Sequence, residues 1–241
     1  MQYKPIQHIE ALPKIFSSSW EYGGITVERD DISDLRDHNM PLPMFIAMDP
    51  PKHTAQRRTV APAFGPAEVE RMRADAVTRT SAVLDTLPIG TPFDWVSSVS
   101  TELTSQMLAI LFDFPWEERN KLNHWSDLAG DIEIGATSEG RQRRAGESMG
   151  LVGAFMQLWN QKAQDPSGPD LISIMLRSDA MSHMEPNELL AKLVLLIIGG
   201  NDTTRNSMSA YAWGLHQYPD QRAILEQNHS AELAVNAMHE I

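Results

Sequence analysis

An acid and an alcohol stand side by side at Asp202 and Thr203, directly after a pair of glycines. The preceding run, residues 193–198, is entirely apolar and leads without a turn signal into Gly199 and Gly200. A carboxylate next to a hydroxyl can relay protons, and glycines let a flat or small ligand such as dioxygen approach a helix backbone closely. The segment therefore predicts a site of proton-coupled chemistry.

A single helix must carry these residues, although each glycine costs it roughly 1 kcal/mol relative to alanine. At about 100° per residue, Gly199, Gly200, Thr203 and Ser207 share one side of this helix, with Asp202 at its edge. We expect the Thr203 hydroxyl to donate a hydrogen bond to the Gly199 carbonyl oxygen and to bend the helix there. The alternative is a packing notch where another helix crosses. A lone Gly-Gly pair favours the notch, whereas the carboxylate that follows favours a ligand site.

His53 and Arg57 form a second candidate pair, because they stand at positions i and i+4 of a predicted helix. The helix is predicted over residues 51–63, and Pro51 suits its first turn. The spacing directs both side chains to the same face. An imidazole beside an arginine fork is a suitable clamp for carboxylates. For an isolated pair of this kind, a solvated helix face is the alternative.

Composition excludes several classes of function. The 241 residues are 42% hydrophobic and 22% charged, which is typical of a soluble globular protein. The sequence contains no cysteine, which excludes a disulfide scaffold, a cysteine nucleophile and any thiolate ligand to a metal, and its eight histidines show no metal-ligand spacing. The formal net charge of -12 argues against nucleic acid or an anionic membrane as partner. With neither a secretory leader nor an apolar run long enough to span a bilayer, we expect a cytoplasmic protein.

The remaining pattern is helix after helix, separated by proline and glycine. The predicted helices cover residues 67–87, 95–112, 116–131, 137–164 and 170–178, a long central helix from 186 to just before 219, and two short helices that begin at 219 and 231. An amphipathic segment at 9–16 and a brief strand at 22–27 precede them. Without repeats or linkers, we predict one mainly α domain over residues 1–241.

Both candidate sites resemble motifs of one family. Residues 199–204, Gly-Gly-Asn-Asp-Thr-Thr, resemble the [Ala/Gly]-Gly-x-[Asp/Glu]-Thr-Thr oxygen-binding segment in the central helix of the cytochrome P-450 haem-thiolate monooxygenases. Residues 49–58, Asp-Pro-Pro-Lys-His-Thr-Ala-Gln-Arg-Arg, resemble the His-x-x-x-Arg helix of the bacterial members. The resemblance implies the mainly α cytochrome P-450 fold and haem as cofactor. It also implies that His53 and Arg57 bind the haem propionates and that Gly199 and Gly200 belong to the cofactor-binding segment.

For Asp202 and Thr203 the resemblance implies proton delivery to dioxygen and insertion of one oxygen atom into a C–H bond. In the family a cysteine thiolate is the iron ligand. That cysteine and a Glu-x-x-Arg helix both follow the central helix, whereas this sequence has no cysteine and ends at Glu240-Ile241. We therefore expect a fragment of the fold that lacks the N-terminal part and the C-terminal haem-ligand part, and that is inactive alone.

The substrate expectation also rests on resemblance. Residues 199–208 and 42–53 resemble the soluble bacterial alkane hydroxylases, which oxidise the terminal carbon of medium-chain alkanes. A fatty-acid or terpenoid hydroxylase is the near alternative. A non-enzymatic all-α binding protein, in which the glycines serve only helix packing, is the alternative from another class.

The partners implied by the family are a ferredoxin and a ferredoxin reductase as electron donors, an apolar small-molecule substrate and O2. Ferredoxins are commonly acidic, so basic side chains near the His53 helix would steer one toward the protein. The candidates are Lys52, Arg58, Arg71 and Arg73. An ordinary solvated face is the alternative.

Overall fold

Helices make up almost all the regular structure of the computed structural model, which describes residues 3–22, 43–131, 133–134 and 137–240. The α-helices of these residues are α1 Tyr3–Glu10, α2 Lys52–Val60, α3 Pro66–Asp85, α4 Glu102–Phe112, α5 Asn120–Gly130, α6 Ser138–Lys162, α7 Leu171–Leu176, α8 Pro186–Gln217, α9 Pro219–Gln227 and α10 Ala231–His239. Short 3-10 turns lie at Trp20–Tyr22, Phe45–Ala47, Ala61–Phe64 and Trp116–Glu118, and a π-helical turn, Val96–Thr101, leads into α4.

The predicted mainly α class is confirmed, and the long central helix is α8. Pro186 opens it, at a position where no backbone N–H is needed, and Pro219 opens the next helix. The first helix differs from the prediction of an amphipathic segment at 9–16. Proline disfavours helical geometry in the residue before it, so Pro13 is incompatible with a helix through 9–16, and α1 covers Tyr3–Glu10 instead. Most of the predicted strand at 22–27 lies outside the described residues.

The chain forms two compact units. The first contains residues 1–70 and 137–196, and the second contains residues 71–136 and 197–241. The chain passes from one unit to the other within α3 and again within α8. The single domain over 1–241 stays a prediction.

In the first unit, α2 packs against α7 and against the Phe45–Ala47 turn, and α6 packs against α7. The side chains of Thr59 and Ser178 share a hydrogen bond of 2.7 Å at the edge of this core. The large, fully buried side chains include those of Phe155, Leu171, Ile172, Met175, Met181 and Leu193. Each contributes about 1.5–3 kcal/mol by leaving water. The core therefore fixes α2, the helix that carries His53 and Arg57.

In the second unit, α4 packs against α5, and the π-helical turn packs against α4. Phe112 and Leu122 are fully buried at the α4–α5 contact. A smaller apolar cluster joins Val83, Val99 and Leu103 to Met208 of α8. This packing holds the second half of α8. None of the helices in the described part of the chain combines the length and the apolar character that a bilayer crossing requires.

Candidate functional site

Residues 199–205 of α8, here called the acid–alcohol segment, remain helical through both glycines. The Thr203 hydroxyl donates a hydrogen bond of 2.8 Å to the Gly199 carbonyl oxygen, as predicted from the sequence. The Thr203 side chain is exposed, and so is Gly199. The hydrogen bond therefore holds the hydroxyl against the backbone on an open face of α8.

The two glycines face different surroundings. A Cβ atom at Gly200 would lie 2.9 Å from Cδ2 of Leu108 on α4, whereas one at Gly199 would meet no atom of the described residues within 4 Å. Gly200 thus lets α4 approach α8 closely, which is the packing role left open by the sequence. Gly199 and Thr203 together leave room for a ligand.

Asp202 shares an arginine with a second carboxylate. Nη2 of Arg205 lies 2.9 Å from Oδ1 of Asp202, and Nη1 of Arg205 lies 2.8 Å from Oδ1 of Asp127 on α5. Burial of the guanidinium disfavours its charge, but its hydrogen bonds to Asp127 and Asp202 and the charges of these carboxylates outweigh burial and raise the pKa of Arg205. The carboxylates are about half exposed, 49% for Asp202 and 53% for Asp127. Asp202 is therefore held by a cation but still reaches solvent.

Asn201 anchors the acid–alcohol segment to α4, a role that was not predicted from the sequence. Its side chain is fully buried, and its Oδ1 atom accepts a hydrogen bond of 2.9 Å from the Thr104 hydroxyl on α4. Further along α8, Ser209 and Ser100 share a hydrogen bond of 3.0 Å. Two polar contacts thus fasten α8 to the α4 side. A polar residue on the buried side of an otherwise apolar helix was the signal that could have found Asn201.

His53 and Arg57 lie on α2 at the predicted spacing. His53 is half-buried, whereas Arg57 is exposed and has no ion-pair partner among the described residues. Just before α2, hydrogen bonds from the Ser17 hydroxyl and from the Ser18 N–H lower the pKa of Asp49, with a smaller contribution from His53. One face of α2 therefore presents an imidazole and a guanidinium that has no ion-pair partner in the part of the chain that the structure describes. The predicted site residues fall into two groups, one in each compact unit.

A polar cluster joins α2 to the first turns of α8. This cluster, here called the α2 junction, consists of Lys52, Gln56, Glu188 and Lys192. Glu188 accepts hydrogen bonds from Lys52 Nζ at 2.7 Å and from Gln56 Nε2 at 2.5 Å. Burial raises the pKa of Glu188, but these two hydrogen bonds outweigh burial, and the net pKa is lowered. The carboxylate is therefore held ionised and fixes α2 to α8.

Lys192 is a fully buried cation in the same junction. Its ammonium group donates to the Pro43 carbonyl oxygen and contacts Sδ of Met48 at 2.8 Å, and it lies 4.9 Å from the ring centre of Phe45. Glu188 Oε1 is 3.8 Å away. Burial lowers the pKa of Lys192 to about 8, and the Glu188 charge opposes this shift. Lys192 thus ties the apolar loop before α2 to the central helix.

The segment before α2, residues 43–48, is an apolar loop that either fills a core or lines a pocket. Phe45, Ala47 and Met48 are buried, and Ile46 is 42% exposed. Core packing therefore explains most of the loop. Beside it lies a cleft of about 730 Å³, and its lining includes Trp20, Tyr22, Met48, Lys52 and Glu188.

Of the predicted docking cations, Lys52 is paired with Glu188, although its side chain is 57% exposed. Arg58 is exposed on α2, and Arg71 and Arg73 each have an interaction partner. A ferredoxin-steering role for this set stays a prediction.

Within the described ranges, no group of three or more histidine or acidic side chains suits a metal ion.

Comparisons with known proteins point to one family, although no protein-family model matches the chain. A structure of cytochrome P450-153 from Novosphingobium aromaticivorans is 50% identical, with a TM-score of 0.83, over 95% of this chain and 56% of that one. CYP153D17 from Sphingomonas sp. PAMC 26605 is 54% identical, with a TM-score of 0.80, over 94% and 56%. Linalool 8-monooxygenase of Pseudomonas putida is 28% identical over 94% of this chain and 56% of its own length. The chain thus spans just over half the length of these relatives.

Proposed function

The chain belongs to the cytochrome P450 family, and we propose that it forms part of a haem-dependent monooxygenase that inserts one oxygen atom of O2 into a C–H bond. The observation that carries the proposal is the open face of α8, where the Thr203 hydroxyl is held on the Gly199 carbonyl beside the Asp202 carboxylate.

Haem is the cofactor that this family binds, and the residues of α2 fit its propionates. His53 and the exposed guanidinium of Arg57 supply N–H donors on one helical face. Charge-assisted hydrogen bonds of this kind are the strong ones for carboxylates. When bound, haem supplies the iron at which dioxygen is activated. The thiolate ligand of the family has no counterpart here, because the sequence contains no cysteine.

The protein side of the reaction is proton transfer. In the proposed role, the Asp202 carboxyl receives a proton from solvent, which its half-exposed position permits, and Arg205 holds its Oδ1 atom in place. Thr203 Oγ1 gives up its own proton at the open face next to Gly199 and takes the proton of the Asp202 carboxyl in exchange, which restores the carboxylate. Gly199 keeps that face free of a side chain, whereas Gly200 serves the contact with α4.

For the substrate, we propose terminal hydroxylation of medium-chain alkanes. The resemblance of residues 199–208 and 42–53 to alkane hydroxylases supports it, and so do the partly exposed side chains of Leu195 and Leu196 on α8. A fatty acid or a terpenoid is the second candidate. The similarity to linalool 8-monooxygenase favours a terpenoid within this alternative.

The proposed electron donors are a ferredoxin and a ferredoxin reductase, and the proposed compartment is the cytoplasm. The exposed cation Arg58 beside the propionate-binding face supports docking of an acidic donor.

Product analysis of the full-length protein tests the proposal. The protein is supplied with a ferredoxin, its reductase, isotopically labelled O2 and either a medium-chain alkane, a fatty acid or linalool. We expect labelled primary alcohol from the alkane, and little of it from Thr203→Val, which keeps the shape but removes the hydroxyl. The matched control is Thr204→Val, at the neighbouring exposed threonine. Equal product from Thr203→Val and the wild type would contradict the role of Thr203, and no labelled product from any substrate would contradict the activity.

A further inference from the structure

Six buried side-chain polar atoms of the second unit lack a hydrogen-bond partner among the residues that the structure describes, and three of them lie on α5 and α8. These three are Nδ2 of Asn201 on α8, and Oδ1 of Asn123 and Oγ of Ser126 on α5. The three side chains are 0%, 5% and 3% exposed. Buried polar groups lose their hydrogen bonds to water, so nearly all of them in native proteins find another partner.

Hydrogen bonds through α4 bring Asn123 and Asn201 near each other. Asn201 Oδ1 lies 2.9 Å from Thr104 Oγ1, which lies 3.0 Å from the Thr101 carbonyl oxygen. The same carbonyl oxygen accepts a hydrogen bond of 3.2 Å from Asn123 Nδ2. Ser126 stands at i+3 from Asn123 and so shares its face of α5. Asn201 on α8 and Asn123 on α5 are therefore linked to the same stretch of chain at the start of α4, and Ser126 lies on the Asn123 face of α5.

The ion pair of Arg205 with Asp127 supports this arrangement independently. Arg205 follows Asn201 by four residues on α8, and Asp127 follows Asn123 by four residues on α5. Nη1 of Arg205 and Oδ1 of Asp127 are 2.8 Å apart. Asn201 and Asn123 each stand one helical turn before a partner of this ion pair, so the ion pair shows that their two helices are in contact.

The partner of these atoms must be able both to donate and to accept. Asn123 is fixed, because only its Nδ2 atom can donate to the Thr101 carbonyl. The Thr104 hydroxyl has one proton, and three oxygen atoms lie within reach: those of the Ser100 and Thr101 carbonyls, at 3.1 and 3.0 Å, and Asn201 Oδ1. If the proton goes to a carbonyl, the Asn201 amide turns over, and its Oδ1 atom instead of Nδ2 needs a partner. Either orientation leaves one amide atom of Asn201 unpaired.

We propose that Asn123, Ser126 and Asn201 form an internal binding site for one ordered water molecule, which links the turn of α8 before Asp202 to α5. The water donates to Asn123 Oδ1 and exchanges hydrogen bonds with Ser126 Oγ and the Asn201 amide, in whichever orientation that amide takes. Three hydrogen bonds are the usual number for a buried water molecule. The site goes beyond the proposed function and exists whether or not the protein hydroxylates any substrate.

A crystal structure of the full-length protein, at a resolution that shows individual water molecules, tests the site. We expect one solvent peak within hydrogen-bond distance of Asn123 Oδ1, Ser126 Oγ and an amide atom of Asn201. Direct hydrogen bonds among the three side chains, or no solvent density between them, would overturn the proposal.

A double-mutant cycle provides a second test that remains decisive if the density is ambiguous. Ser126→Ala and Asn201→Leu remove groups that do not contact each other, but a shared water couples them. We expect the unfolding equilibrium constant of the double variant to differ roughly threefold or more from the product of the single effects. The matched control pairs Asn201→Leu with Ser105→Ala, because the Ser105 hydroxyl is buried but bonds to the Glu102 carbonyl of its own helix. Independent effects of Ser126→Ala and Asn201→Leu would overturn the shared water. If Asn201→Leu does not fold, Asn123→Leu replaces it in the cycle.

Discussion

The α2 junction and the acid–alcohol segment are two polar regions on the same helix, and their surroundings differ. In the junction, Lys192 is fully buried, and Glu188 is held by both Lys52 and Gln56. In the acid–alcohol segment, Asp202 is about half exposed and depends on one arginine, which it shares with Asp127. Glu188 and Lys192, the two junction residues on α8, are thus held by internal contacts, whereas the segment keeps one carboxylate and one hydroxyl available.

The difference shows how α8 combines a structural role in its first turns with a chemical role near its middle. A buried charge that loses its partners is costly, so the junction fixes its geometry and resists change. A half-exposed carboxylate on a shared cation stays in contact with solvent and loses less when a partner is removed. We therefore expect substitutions in the junction to change stability and substitutions in the segment to change the reaction.

The largest effect is expected for Asp202, one of the two carboxylates that pair with Arg205. Asp202→Asn removes the proposed proton donor and should lower product formation by roughly 100-fold, the usual scale of acid–base catalysis. Asp127→Asn alters the same arginine but not the acid, and should change the rate by less than roughly threefold. Turnover of the full-length protein at saturating substrate measures both. Equal losses of turnover in the two variants would show that the reaction depends on Arg205 and not on the Asp202 carboxyl.

Lys192 should make stability depend on pH in the alkaline range. Its pKa in the folded protein, about 8, is below the ordinary value of 10.5. Between these values the unfolded state binds more protons, so the free energy of unfolding should rise with pH, by about 3 kcal/mol in total. Denaturant titrations of the wild type and of Lys192→Met at several pH values measure it. The rise should vanish in Lys192→Met, and a wild type with no rise would contradict a buried, destabilised ammonium group.

Arg57→Leu should weaken haem binding without unfolding the protein. The substitution removes one charge-assisted hydrogen bond to a propionate, which corresponds to roughly tenfold in affinity. Arg58→Leu is the matched control, because Arg58 is the next residue and is also exposed. Haem transfer to apomyoglobin measures the two affinities. If Arg58→Leu loses haem as readily as Arg57→Leu, the assignment of Arg57 is wrong.

The smallest effect is expected for Lys52→Met in the α2 junction. Lys52 is 57% exposed, so its ion pair with Glu188 is screened by solvent and contributes about 0.5 kcal/mol. Gln56 still donates to Glu188 in this variant. Thermal denaturation should show a small decrease in the midpoint. A decrease as large as that of a core truncation would mean that Lys52 is the main support of Glu188.

Local patterns predicted most of the helices and the spacing of the site residues. Proline and glycine positions gave the bounds of α8 to within a residue or two, and the contact of Thr203 with Gly199 followed from their separation of four residues. What could not be predicted depends on partners far away in the sequence. Lys192 bonds to Pro43 and Asn201 bonds to Thr104, and helical periodicity in the sequence does not identify either partner.

Gly199 and Gly200 also show that a local pattern does not reveal a contact with a neighbouring helix. Both glycines fall on the side of α8 predicted for a ligand, but only the approach of Leu108 reveals that Gly200 serves packing. The identity of the neighbouring helix decides this, and helical periodicity contains no information about it.

The most direct test of the central claim is the carbon monoxide difference spectrum of the reduced full-length protein. We expect haem uptake and the red-shifted Soret band that gives the family its name, which requires a cysteine thiolate on the iron. A protein that takes up no haem, or whose reduced carbon monoxide complex lacks the shifted band, would contradict the claim and reduce Asp202 and Thr203 to structural residues of α8.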